Sequence, residues 1–326
     1  MARENIQYFR LGRHALVAGL KLLKLRAGDR VLVPEFICRD LLAAIHAAGA
    51  TPTYYAVDQA LRPAVLPSAG QNVRAALAVN YFGFPQDLAP FRMYCEQQGA
   101  TLIEDNAHGF LSHDEQGVTL GTRGDLGIFS IRKTFAVPDG GALVVSKKEW
   151  QDQLDAQLPC RSERLPAAYW AKHGLAWIQS QTGLRLLSFG QRIARHMRRW
   201  QMGYEIPPSL PEDEYEMPAQ PAPHCRTLSA LPRLDLIGEA RRRRNLYRSL
   251  HVQLSGSGIR PIFGDLPDGV VPYGYPFYAD ANTVRVVSET IRPLGLECIR
   301  WPDLPAAIVP IAPHHYRSVW LINFLC

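Results

Sequence analysis

The 326-residue chain has six cysteines, at 38, 95, 160, 225, 298 and 326, and none forms a CxxC pair or joins a His/Cys cluster. Neither a zinc site nor a disulfide framework is therefore expected, and reduced thiols in a cytosolic enzyme fit this usage. No apolar run approaches the length needed to span a bilayer. The apolar stretch from Ala15 to Leu25 is cut by Lys21 and Lys24 and is followed by no small-residue cleavage site, so it does not read as a signal peptide. A soluble, cytoplasmic protein is the expectation. No GxGxxG follows the first strand, which argues against a nicotinamide-dependent dehydrogenase. Zinc-finger spacing and aromatic-studded basic strands are absent too, so no nucleic-acid partner is expected. Internal repeats and low-complexity tracts are likewise missing.

What is present is ordinary globular composition, with 47% apolar and 20% charged residues. The length suits one large domain and a smaller one. The formal charge of +6 is local: Arg192, Arg195, Arg198 and Arg199 cluster in one segment, and Arg241 to Arg244 form a second run. Both runs lie on helix-like stretches and read as solvated helix faces.

The first half alternates helix and strand signals. Leu16–Leu25 has helical apolar spacing, Arg30–Pro34 is a short buried strand ended by proline, and Leu41–Ala48 is a second helix. Thr51–Val57 and Arg74–Asn80 read as strands, Leu88–Gln98 as a helix, and Ala100–Asp105, Asp125–Ile131 and Gly141–Ser146 as further strands. Short apolar strands separated by helices predict βαβ units and a mostly parallel sheet. Residues 150–235 read as helical elaboration (Ala167–Gln179, Leu184–Trp200) and a proline-rich linker, Pro207–Pro223. From Leu236 an arginine-rich helix leads to strands around Gly269–Tyr278, a helix over Thr283–Leu294 and a strand over Leu296–Ile299. The expected division is a large domain, 1–235, and a small C-terminal domain, 236–326.

In an open α/β sheet, ligands bind beyond the carboxyl ends of the strands. Asp105 ends one strand and Lys133 stands just after another. A carboxylate there can form a charge-assisted hydrogen bond to a pyridinium nitrogen, and a lysine there can form an imine with an aldehyde. Gly12-Arg13-His14 directly precedes a helix, where free amides and a positive side chain suit a phosphate. Together these are the three groups that pyridoxal phosphate requires. Singly, each has a plainer reading: a helix cap, a surface lysine, a turn.

The segment Glu104-Asp105-Asn-Ala-His108 resembles the E-D-x-A-[QH] signature of the DegT/StrS sugar aminotransferases. Gly121 to Ser130, Lys133 and the Gly140-Gly141 pair resemble that family's G-x-x-G-D…S…K-x6-G-G segment. Val31-Leu-Val-Pro34 with Phe36, and Ala48-Gly49-Ala-Thr-Pro52, resemble its V-P-x-F and A-G-A-x-P elements. The resemblance covers about residues 10–150 and returns weakly in Arg241–Leu250 and Trp301–Pro305. It implies the α/β fold of type I pyridoxal-phosphate transferases: a large domain with a mostly parallel seven-stranded sheet flanked by helices, plus a small α+β domain.

By the same resemblance Lys133 is the catalytic Schiff-base lysine and Asp105 the partner of the ring nitrogen. His108 lies by the ring face or phenolic oxygen, and Ser130 and Gly12-Arg13-His14 hold the phosphate. For His108 a satisfied structural histidine is an equal alternative. The implied reaction moves an amino group from an amino acid, commonly glutamate, to a nucleotide-linked keto sugar, in a homodimer, with surface polysaccharide or secondary metabolites as the destination. Three departures stand out. Ser130 precedes Lys133 by three residues where the family has five. Cys38 stands where the family has an aromatic ring over the cofactor, with Phe36 or Tyr81 as candidates to replace the stacking. The G-x-N-x-R/M segment by which a partner subunit touches the cofactor is absent. The chain also stops at Cys326, inside a hydrophobic stretch, so the small domain is expected to be truncated. Two alternatives stay open: another pyridoxal-phosphate reaction such as dehydration, and a non-catalytic relative acting as a binding or scaffold protein.

Overall fold

The computed structural model describes residues 5–68, 72–154, 158–171, 174 and 210–324. Its elements run β1 (Ile6–Phe9), α1 (Gly12–Leu22), β2 (Arg30–Pro34), α2 (Leu42–Ala47), β3 (Thr51–Val57), β4 (Pro63–Val65), β5 (Val73–Val79), α3 (Ala89–Gln98), β6 (Thr101–Asn106), β7 (Leu126–Ser130), β8 (Gly141–Val145) and α4 (Lys148–Gln151). After the intervening segment come α5 (Cys225–Ala230), α6 (Leu236–Gln253), β9 (Arg260–Pro261), β10 (Gly274–Tyr278), α7 (Ala281–Ile291), β11 (Glu297–Arg300), α8 (His314–Arg317) and β12 (Val319–Asn323). The expected helix Leu184–Trp200, most of Ala167–Gln179 and the arginine cluster 192–199 lie outside the described residues.

The large sheet has eight strands, not seven, in the order β1-β8-β7-β6-β5-β2-β3-β4. Its centre, β7-β6-β5-β2-β3, is parallel, while β8, β1 and β4 pair antiparallel with their neighbours. In the middle of the parallel centre both faces of the strands are covered. Every residue from Ala75 to Val79 is buried, and so is every residue of β6 and β7. The two edge strands that the sequence reading omits, β1 and β4, are only four and three residues long, too short for a pattern to register.

Helix α1 buries Ala15, Leu16, Gly19 and Leu20. At Gly19 a Cβ would meet the Leu126 and Leu143 side chains at 3.2 Å, so this face lies on β7 and β8. The helix starts four residues ahead of Leu16, where the apolar spacing begins. Its first two residues, Gly12 and Arg13, line a cleft rather than the core, which is why periodicity alone reads it late. Full burial of side chains such as Leu16 and Leu20 contributes roughly 1.5–3 kcal/mol each.

The second sheet is antiparallel, ordered β11-β12-β10-β9, with β10 and β12 at its centre. It is joined to the large sheet by α6. The Arg241–Arg244 run is a solvated face only in part, which corrects the sequence reading: Arg241 and Arg242 are exposed, but Arg243 is buried and Arg244 partly so. Arg243 is 1% exposed and donates to the carbonyls of Pro272, Tyr273, Lys133 and Thr134 and to the Glu239 carboxylate. Arg244 donates to Pro267 O and Val270 O, and Arg242 to Glu239 and Phe324 O. Charged side chains on one helix can close the junction between two sheets because carbonyls left open there need donors.

The cysteines also depart from expectation, since Cys160 and Cys225 form a disulfide across a sequence separation of 65. Backbone bonds bring them together: Arg161 N donates to Pro223 O and Cys225 N to Arg161 O, each at 2.8 Å. Spacing along the chain carries no sign of such a pairing. Cys38, Cys95 and Cys298 are free thiols. Among the described residues, no helix is long and apolar enough to cross a membrane.

Candidate active site

A cleft of about 760 Å³, its open mouth included, lies beyond the carboxyl ends of β5, β6 and β7. Parallel pairing brings the strand ends level there, Val79 opposite Asp105 and Asp105 opposite Ile128. Side chains of a strand alternate between faces. Asp105 therefore meets the cleft while its neighbours Glu104 and Asn106 point the other way. Those two are fully buried in a polar network with Asn80 and Arg123. Arg123 pairs with Glu104 at 2.6 Å, Asn80 Nδ2 donates to Glu104 at 2.8 Å, and Asn106 Nδ2 donates to Leu120 O at 2.7 Å. This network pins the end of β6 and so fixes Asp105.

The Asp105 carboxyl is buried and makes no ion pair among the described residues; one oxygen accepts the Ala107 N–H at 2.9 Å. Burial pushes its pKa above the ordinary value, while the Ala107 N–H and the positive Lys133 nearby work the other way. Lys133 ends the short 3-10 turn Ile131–Lys133 that follows β7, which lifts its amine over the strand ends. Lys133 Nζ lies 3.1 Å from His108 Nε2. On the other side of the ring the Phe82 N–H lies 3.4 Å from His108 Nδ1. The direction of the Lys133–His108 bond follows the ring tautomer. Burial, followed by Lys133 and Arg243, holds the His108 pKa well below the usual histidine value, so the ring is neutral at physiological pH.

The ring of His108 is also held by stacking. Tyr273, just ahead of β10, lies parallel to it at 4.3 Å, and Phe82 lies on it at 5.7 Å. Trp301 meets it edge-on at 5.3 Å and lines the cleft. Arg243 donates to Tyr273 O and to the carbonyls of Lys133 and Thr134, so one guanidinium fixes the amine's backbone and the ring stacked behind it.

The start of α1 closes the far end. Leu11 makes no side-chain cap and the first turn has no acidic residue, so the helix dipole is uncompensated there. Gly12 packs against β7: a Cβ would sit 3.3 Å from Phe129 O and 3.9 Å from Ser130 Cβ. Gly12, Arg13 and Ser130 thus meet at one end of the cleft, with Arg13 3.6 Å from Asp40. This is a donor set that fits an anion.

A profile of the DegT/DnrJ/EryC1/StrS aminotransferase family matches residues 10–175, which is half of the chain. The chain belongs to this family. Among curated proteins it is similar to the UDP-N-acetyl-3-dehydro-alpha-D-glucosamine 3-aminotransferase of Acidithiobacillus ferrooxidans, at 29% identity over 44% of this chain and 40% of that protein. It is similar to the dTDP-4-dehydro-2,3,6-trideoxy-D-glucose 4-aminotransferase of Saccharopolyspora spinosa, at 29% identity over 53% of this chain and 43% of that one. It is also 30% identical to the GDP-perosamine synthase of Vibrio cholerae over 41% of this chain and 38% of that one. The chain thus matches less than half the length of each of these relatives. Among solved structures, the aminotransferase TlmJ from Streptoalloteichus hindustanus superposes with a TM-score of 0.64 at 21% identity, covering 99% of this chain and 81% of that one. S. venezuelae DesV gives 0.60 at 20% identity, covering 98% and 79%. The shared fold is the type I fold expected from the sequence.

Of the residues singled out by the family resemblance, Gly12, Arg13, Cys38, Asp105, His108, Ser130 and Lys133 line the one cleft. Two do not. His14 sits on the other side of α1, where Nε2 bonds Pro218 O at 2.8 Å, because the third residue of a helix points away from the direction of its first amides. Phe36 is fully buried beneath the cleft wall, packed 5.3 Å from Trp301 and 5.1 Å from Tyr316. It supports Trp301 rather than facing the cleft, and Tyr81, whose OH donates to Phe36 O at 2.8 Å, does the same. The Cys38 thiol is pushed up to about 12, chiefly by burial, so it is no nucleophile at neutral pH. Trp301 and Arg132 also line the cleft, and the sequence reading gave Trp301 no place in the site. The weak match at Trp301–Pro305 was the available signal for the first. The second stands beside Lys133.

Proposed function

We propose that this chain is a transaminase that binds pyridoxal 5′-phosphate and moves an amino group from an amino acid onto a nucleotide-linked keto sugar. The observation that carries this reading is one cleft in which a buried carboxylate with no ion pair among the described residues, a lysine amine and a helix start without a side-chain cap converge. The family membership supports it, as do relatives named for a UDP-linked and a dTDP-linked sugar.

When bound, pyridoxal phosphate supplies an aldehyde and a ring that accepts electrons from the carbon being deprotonated. The chain's part is positioning and proton handling. Asp105 would hold a proton on the ring nitrogen, and a cation opposite this carboxylate relieves the cost of burying it alone. The amides of Gly12 and Arg13, with the Ser130 hydroxyl, would take the phosphate. Lys133 Nζ would bind the aldehyde carbon and, once displaced by the donor's amine, carry a proton between donor carbon and acceptor. His108, neutral and clamped between rings, holds Nε2 at hydrogen-bond distance from Nζ and keeps that amine in place.

Absorbance titration with pyridoxal phosphate tests the reading. A visible band is expected with the native protein, it should vanish on adding glutamate, and Lys133→Ala should never form it. A folded native protein that gives no band would defeat the proposal.

A further inference from the structure

The Cys160–Cys225 disulfide sits at the anchor of a strap that braces the cleft from behind. The strap, residues 218–225, lies along the chain just before and within α1: Pro218 O accepts from His14 Nε2 at 2.8 Å, Ala219 O from Arg10 Nη1 at 3.0 Å, and Pro221 O from Arg10 N at 2.7 Å. Its far end grips Asp139. The Asp139 carboxylate is 4% exposed and accepts from His224 N at 3.0 Å, Thr227 Oγ1 at 2.6 Å and Arg161 Nη2 at 2.6 Å. Arg161 in turn donates through Nε to Ala222 O at 2.7 Å.

Asp139 closes the turn that begins at Lys133. The next residue, Gly140, has φ +134, and its N–H donates to Arg10 O at 2.8 Å while its carbonyl accepts from Ile131 N at 2.9 Å. At Gly141 a Cβ would lie 2.2 Å from Leu11 C, so the turn presses directly on the start of α1. Two of the groups holding Asp139, Arg161 and His224, are the immediate chain neighbours of Cys160 and Cys225. The Cys160 residue itself is exposed and Cys225 is half-buried, whereas the carboxylate they secure is buried. A reductant can therefore reach the bond without entering the core.

We propose that Cys160–Cys225 is a thiol-exchange site whose oxidation state sets how firmly Asp139 holds the Lys133–Gly141 turn and the start of α1. In the exchange, one thiolate of an external dithiol attacks the Cys160 sulfur. The S–S bond breaks, and Cys225 leaves as a thiolate that takes a proton. The dithiol's second thiolate then attacks the mixed disulfide, closes the reductant's own disulfide and releases Cys160, which is protonated. Two electrons pass from the dithiol to the cysteine pair. Without the cross-link, Arg161 is held to the strap only by the bonds it makes there, and the Asp139 anchor loosens.

Hydrogen exchange on the native protein, air-oxidised and then reduced with dithiothreitol, tests this directly. Peptide mapping should first find Cys160 joined to Cys225 and should find both alkylated after reduction. Amide exchange at Ile131 and Gly140 is expected to quicken at least tenfold on reduction. Asp139→Asn should exchange quickly in both redox states. A second arm rests on the proposed function: pyridoxal phosphate should bind the reduced form at least tenfold more weakly. Absence of the linked peptide, or equal exchange at Ile131 and Gly140 in the two forms, overturns the proposal. Should the oxidised protein bind no pyridoxal phosphate while these amides still respond to reduction, the switch stands and the transaminase reading falls.

Discussion

Replacing Arg243 by methionine separates two accounts of the same run of arginines. A solvated helix face predicts a change within about ±0.5 kcal/mol. The structure predicts much more, because the guanidinium donates at 2.9–3.3 Å to the carbonyls of Pro272, Tyr273, Lys133 and Thr134, and at 2.6 Å to Glu239. Removing one partner of a buried charge pair costs about 3–5 kcal/mol. Glu239 is 16% exposed and keeps Arg242, which moves that contribution to the lower end. A carbonyl left without a donor adds roughly 1–3 kcal/mol, less wherever water enters. The sum is about 4 kcal/mol, which for a chain of 326 residues is a fall of about 6 °C in thermal midpoint. Arg241→Met, at an exposed position of the same helix, is the control and should move by less than about 1 °C. Thermal unfolding of the cofactor-free proteins is the assay. If the two variants melt together, the junction between the sheets does not depend on Arg243 and the reasoning fails.

Three other outcomes follow from burial and charge. Asp105→Asn should stabilise the cofactor-free protein at neutral pH, because the folded carboxyl pKa is raised and its ionisation opposes folding as pH rises above about 3.8, while pyridoxal phosphate binding is lost; melting curves against absorbance titrations check both. His108 has the opposite sign. Its folded pKa is depressed, so its contribution is complete above the unfolded value of about 6.5 and is lost as pH falls below it, at up to about 1.4 kcal/mol per pH unit. His108→Gln should flatten the stability profile below pH 6.5 by one proton's worth, measured by denaturation at stepped pH. Removing the Cys160–Cys225 bond, which spans 65 residues, should cost about 4 kcal/mol by chain-entropy reasoning, read as a lower midpoint for the double serine variant.

Much of this architecture was legible in order and spacing. Strands Arg30–Pro34 and Thr51–Val57 have the same limits in sequence and structure, because apolar runs bounded by proline or turn residues leave little choice of register. Asp105 and Lys133 stand at strand ends, where α/β folds bind ligands, and the structure has both lining one cleft. The rest depends on contacts distant in sequence. Nothing near Cys160 announces Cys225, and nothing within Arg241–Arg244 distinguishes the one side chain that turns inward to Lys133 O. His14 belongs to the right turn of α1 but to the wrong side, where Pro218 takes it. Trp301 enters the cleft from the small sheet, and Phe36, placed beside the cofactor by motif, instead supports that tryptophan from below. Local pattern specifies which element a residue joins; tertiary packing decides which face it shows.

The central claim is that one particular amine takes up the aldehyde. Incubating the native protein with pyridoxal phosphate, reducing it with borohydride and mapping the peptides by mass would identify the modified lysine. The account predicts a single stoichiometric label on Lys133, abolished in Lys133→Ala. Label spread over Lys21, Lys24, Lys147 and Lys148, or no label on a folded protein, would contradict it.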